Sequence, residues 1–113
     1  MKRQKLIYGV CMVVFLVLLS TSVYAACDGN RCVGKIDRLY VTDGTLYIST
    51  DGDETNLDCT APGGVYITIP SSDPDFKNLY AMMLTAVSLD NTIGLRIQNG
   101  SPRCTLIYTY MDN

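Results

Sequence analysis

Histidine and tryptophan are absent from the 113 residues and phenylalanine occurs only twice, so eight tyrosines supply nearly all the aromatic surface. Without histidine the chain lacks the side chain best suited to proton transfer near neutral pH and the commonest nitrogen ligand for metals. No serine stands in a nucleophile-elbow context. Outside one acidic loop the carboxylates are scattered at turns and helix ends. The inventory therefore argues against an enzyme, and no catalytic residue, metal site or cofactor is assigned. Internal repeats, low-complexity segments and linkers are also missing, which leaves a single small domain.

Long hydrophobic runs are scarce too. Only Leu6 to Leu19 is continuously apolar, and it follows the basic stretch Met1 to Lys5. A basic start, a short apolar run and Val23-Tyr24-Ala25 before Ala26 read as a secretory signal peptide over residues 1–25. The run is too short for a favoured membrane anchor, so no transmembrane segment is expected after cleavage. The mature domain is then 26–113, secreted or periplasmic. An alternative reading takes Tyr24-Ala25-Ala26-Cys27 as a loose lipobox, which would anchor a lipoprotein through Cys27.

Cleavage discards Cys11 and leaves Cys27, Cys32, Cys59 and Cys104, an even number bound for an oxidising compartment. Three connectivities exist, and the spacings favour 27–32 with 59–104. Lipidation of Cys27 would strand Cys32. A metal site would need paired Cys-x₂-Cys spacing, which is absent. Removing Lys2, Arg3 and Lys5 leaves six basic side chains against eleven acidic ones, a net charge of about −5. Such a surface repels phosphate backbones, so nucleic acid is not expected as a partner.

Residues 33–42 and 45–50 alternate as strands around Asp43-Gly44, the pair suited to a type I′ turn. That turn fixes Tyr40 opposite Tyr47, Leu39 opposite Ile48, Val41 opposite Leu46 and Arg38 opposite Ser49. Leu39, Val41, Leu46 and Ile48 form the expected core face. Ile36 falls out of phase with them, which predicts a bulge near Asp37. Residues 51–63 read as a solvated acidic loop. Its Asp51-x-Asp53 start resembles a calcium loop, but Asn56 and Pro62 occupy the positions where a glycine and a bidentate glutamate are needed. Residues 64–70 form a third strand with Val65, Ile67 and Ile69 inward and Tyr66 and Thr68 outward.

Only 72–91 repeats like a helix. Phe76, Leu79, Tyr80, Met83, Leu84 and Val87 share one apolar stripe, with Ser72 or Asp73 as N-cap, Pro74 in the first turn and Asp90-Asn91 as the stop. Residues 92–98 alternate again, with Ile93, Leu95 and Ile97 inward and Arg96 outward, and 104–111 is the last strand. The order β-β-β-α-β-β is that of a five-stranded OB-fold barrel, stapled by disulfides, in which the helix closes one end. An open antiparallel sheet with the helix packed across it satisfies the same periodicities, and closure is preferred because it removes exposed edges.

The segments Gly34-Lys-Ile-Asp-Arg-Leu-Tyr40, Gly64-Val-Tyr-Ile-Thr-Ile-Pro70, Asn78-Leu-Tyr-Ala-Met-Met-Leu-Thr-Ala86, Cys104 and Leu106-Ile-Tyr-Thr-Tyr110 carry a resemblance. Together they look like small secreted bacterial proteins similar to the B subunit of subtilase cytotoxin. The resemblance covers nearly the whole mature chain. It implies an OB-fold and a disulfide from the region before the third strand to the last strand. In the toxin members it also implies a ring-shaped homopentamer that binds sialylated or other cell-surface glycans beside a catalytic A subunit. Many relatives stand alone, and no glycan-contact residue is carried over.

From the residues themselves, Arg38, Tyr40, Tyr47, Ser49 and Tyr66 form the candidate ligand face, since aromatic rings stack on sugars and guanidinium and hydroxyl groups orient them. Cross-strand tyrosine pairs that stabilise a small sheet, or a subunit interface, fit the same pattern. Arg96 admits a ligand contact or a solvated outward position. Two functions follow: a secreted or periplasmic glycan-binding module, or an envelope structural or protein-interaction module without a sugar ligand.

Overall fold

The computed structural model describes residues 25–112. All of the expected signal peptide except Ala25 lies outside them. The elements are β1 (Ala26–Asp28), β2 (Arg31–Gly34), β3 (Ile36–Thr42), β4 (Thr45–Thr50), β5 (Ile67–Pro70), α1 (Phe76–Leu89), β6 (Ile93–Ile97) and β7 (Leu106–Tyr110). They build two antiparallel sheets, β1-β2-β6-β7 and β3-β4-β5. Among the described residues no helix is long and apolar enough to cross a membrane.

Both disulfides join the favoured partners, Cys27 with Cys32 and Cys59 with Cys104. The expected five strands in a closed barrel are corrected to seven strands in two sheets. Part of the difference lies at Lys35, where the long first strand breaks. Its amide donates to Asp51 Oδ1 at 2.9 Å and its carbonyl accepts from Asp51 N at 3.0 Å, so Lys35 leaves both ladders as the chain passes between sheets. The rest lies at β1, which pairs Cys27 with Cys32 and Asp28 with Arg31 in a hairpin ahead of the expected first strand.

The β3–β4 register is the one the Asp43-Gly44 turn dictates. Tyr40 faces Tyr47, Arg38 faces Ser49, and the register shifts between Ile36 and Arg38 where the bulge was expected. Asp43 and Gly44 both have positive φ, 51° and 68°, as a type I′ turn requires. Leu46, Ile48, Ile67, Ile69, Ile93, Leu95 and Ile97 are fully buried, with Met83 and Leu79 of α1 laid against them. Two strand residues depart from their expected inward position, since Val41 is 51% exposed near the hairpin tip and Val65 precedes β5 in an exposed turn. Thr68 departs the other way and is buried. Its amide donates to Cys104 O at 3.0 Å across a parallel bridge between Thr68 and Thr105, which covers the face expected to be solvated.

The helix starts later than the sequence pattern places it. Asp73 Oδ1 accepts from Asp75 N in a turn ahead of Phe76, so Pro74 lies outside the helix and Asp75 occupies the N-cap without a side-chain bond. The stop is as read: Asp90 adopts the left-handed conformation, and its amide and that of Asn91 close on Ala86 O. Leu79, Met83 and Ala86 form the buried line, and Leu84 and Val87 are exposed on its flank.

Candidate ligand-binding site

Strand register assembles the site. Tyr40 of β3 lies directly across from Tyr47 of β4, and their rings stack with centroids 4.8 Å apart and planes 6° apart. The Pro62–Gly64 turn delivers Tyr66 just ahead of β5, where its ring meets Tyr40 and Tyr47 edge-on at 5.3 and 5.9 Å. Offset stacks and edge-to-face contacts at these spacings are favourable beyond the area they bury. The three rings form a ledge with a guanidinium at each end. Arg38 Nη1 donates to the Tyr66 hydroxyl at 3.3 Å. Arg103 Nη2 donates to the Tyr47 hydroxyl, and its Cζ stands 5.8 Å from the Tyr47 ring centroid.

Of the residues expected at this face, Arg38, Tyr40, Tyr47 and Tyr66 come together. Ser49 shares their side of the ladder but is only 6% exposed, so it offers little to a ligand. Arg103 is the member that sequence reasoning missed. Thr68 Oγ1 donates to its carbonyl at 2.8 Å. The next residue, Cys104, is held left-handed at φ 46° and bonded to Cys59. Ser101 Oγ fixes the same turn by donating to Gln98 O and accepting from Thr105 N. The one sequence signal was a cation beside a half-cystine. Its distance of 56 residues from Tyr47 gives periodicity nothing to detect.

The electrostatics hold the Tyr40 phenol in its neutral form beside a charged Arg38. Partial burial raises the Tyr40 phenol above its ordinary value of 10.0, and the neighbouring Tyr66 and Tyr47 add to this against the opposing pull of Arg38. Arg38 is held still more firmly protonated by its bond to Tyr66. The only ion pair among the described residues is Lys35 with Asp90 at 2.8 Å, so neither arginine of the ledge is neutralised by a salt bridge within them.

The acidic loop is more structural than its composition implies. Asp51 clamps Lys35, Asp53 accepts from Thr55, and Asp58 accepts from Asn99. Glu54 corrects the expectation of a wholly solvated loop. It is 3% exposed and accepts from both the amide and the hydroxyl of Thr50. No family description, curated protein or solved structure matches the chain.

Proposed function

We propose that the chain is an exported OB-type binding module whose Tyr40–Tyr47–Tyr66 ledge, held between Arg38 and Arg103, receives a cell-surface glycan. The observation that carries this is three rings in mutual contact with a guanidinium at either end, a surface that stacks on a pyranose and orients its carboxylate or hydroxyls. The OB reading draws support from connectivity. The β2–β3 segment pairs with β6 and β4, β4 with β5, β6 with β7, and β5 meets the residue just ahead of β7 at the isolated Thr68–Thr105 bridge, with α1 between β5 and β6. The disulfides fit a secreted or periplasmic location. Commitment of Cys27 to Cys32 weighs against a lipid on Cys27, and the intact mass of native protein decides that point.

Screening the mature protein on a glycan array is the direct test. Binding should fall by about tenfold or more in Tyr47→Ala and in Arg103→Ala, the loss expected when a stacking or charge-assisted contact is removed. Failure to bind any glycan overturns the lectin reading. One observation favours the runner-up, an envelope protein-interaction or structural module. The Tyr47 and Tyr66 hydroxyls are already bonded to the two arginines, so the ledge is satisfied without a ligand. Capture of an envelope protein that Tyr47→Ala releases, without glycan binding, would establish that alternative. The homopentamer implied by the resemblance is tested by light scattering, and a monomer overturns it.

A further inference from the structure

The other sheet carries a second group of arginines and tyrosines. Cross-strand register aligns Asp28, Arg31, Arg96 and Tyr108 in one row across β1, β2, β6 and β7, with Ala26, Val33, Gly94 and Tyr110 in the next row of the same face. Arg31 and Arg96 are directly opposed. Like charges in that relation destabilise a sheet unless something of opposite sign lies between them. Asp28 stands across from Arg31 on the far side, but no ion pair joins them, and Lys35–Asp90 is the only such pair among the described residues.

The two arginines are also unequally satisfied. Arg31 Nη1 donates to the Tyr110 hydroxyl at 3.4 Å. Tyr110 is seated across Gly94, whose missing side chain leaves room for its ring. Among the described residues the Nε of Arg96 is buried and makes no hydrogen bond. The register of β6 and β7 shifts at Arg96 and Ile97, a bulge that sets Tyr108 opposite Arg96 with its ring exposed.

We propose that this face is a second binding site, in which Arg31 and Arg96 share the carboxylate of a small organic acid whose ring rests on Tyr108. A carboxylate supplies the missing negative charge between the opposed guanidiniums and acceptors for their unused donors. An exposed tyrosine beside it favours a ring-bearing acid over a bare anion. The site lies on a different sheet from the tyrosine ledge and does not rest on the glycan reading.

Nuclear magnetic resonance titration of the ¹⁵N-labelled mature protein tests it, with benzoate and methyl glucuronide as ring carboxylates and methyl glucoside and inorganic phosphate as controls. Saturable shifts of the Arg31 and Arg96 Nε–H signals and of the Tyr108 amide are expected with at least one carboxylate. Benzoate alone identifies an aromatic acid, and the glucuronide alone an acidic sugar. Affinity read at these signals should drop by about tenfold or more in Arg96→Gln, the loss of one charge-assisted contact. Should Arg96→Gln not fold, Arg31→Gln, at an exposed position, is read in its place. The proposal is overturned if neither carboxylate saturates, if methyl glucoside or phosphate shifts the same signals as strongly, or if the arginine variant binds as well as the parent.

Discussion

Gly94 shows how one missing side chain can set the outer surface of a sheet. A Cβ built there would lie well inside van der Waals contact with Tyr110 Cζ, so alanine must drive that ring away from the sheet and from Arg31. Gly94→Ala should therefore cost about 1–3 kcal/mol, the usual range for overpacking. In a Tyr110→Ala background the same substitution should cost about 0.5 kcal/mol or less, because the clashing ring is gone. Denaturant unfolding of the four proteins closes this cycle, and equal costs in both backgrounds would show that the ring is not what the glycine accommodates. Residues of this kind are poorly legible in a sequence. Gly94 reads as a weak point in a strand until Tyr110 is placed across it. Thr68 is read as solvated, and Arg103 gives no signal at all, for the same reason: the segments that meet there lie far apart in the sequence. Tyr40, Tyr47 and Arg38 were legible because a two-residue turn alone determines who faces whom.

Among the elements, the β3–β4 hairpin was readable down to its bulge, whereas the β1–β2 hairpin was not, because Gly29-Asn30 and the short strands around it show too few alternations to register as a pattern. The helix illustrates both outcomes at once. Its period was clear, yet which part of the apolar stripe is covered depends on the sheet beneath, and Leu84 and Val87 lie beyond that cover. Its C-terminus can be dissected at Asp90, which combines a left-handed backbone at φ 52° with the Lys35 ion pair. Asp90→Asn keeps a residue that tolerates this conformation and removes only the charge, so its effect should be small and should vanish at high salt. Asp90→Ala adds a backbone penalty of about 1 kcal/mol or more, read as a lower denaturation midpoint than that of the asparagine variant. Equal midpoints would show that the left-handed residue does not govern the stop. The pairing raises Lys35 above its ordinary 10.5, chiefly through the hydrogen bond to Asp90. Its contribution is therefore complete below that value and is lost as pH climbs through the raised one. Parent protein should lose this increment in alkaline solution, and Lys35→Ala should not.

At the scale of the whole molecule, Cys59–Cys104 joins the loop after β4 to the approach of β7, next to the bridge where the two sheets meet. Its sequence separation of 45 residues constrains the unfolded chain far more than the separation of 5 at Cys27–Cys32. The loop-closure relation assigns about 4 kcal/mol to the first and about 2 kcal/mol to the second. Against the 5–15 kcal/mol typical of a small domain, roughly 4 kcal/mol is a large share. The same cystine fixes Cys104 beside Arg103, so its loss should also loosen one end of the tyrosine ledge. Replacing Cys59 and Cys104 by serine should lower stability by more than replacing Cys27 and Cys32. It should also speed hydrogen exchange first at the amides of Thr68 and Gln98, which donate to Cys104 O and Thr105 O. Any ligand of the ledge should then bind the 59/104 variant about as weakly as Arg103→Ala. Parent-like affinity in a destabilised variant would show that the bond staples the sheets without positioning the arginine. Slow exchange at the Thr68 amide would show that the junction between sheets holds by its backbone bonds alone.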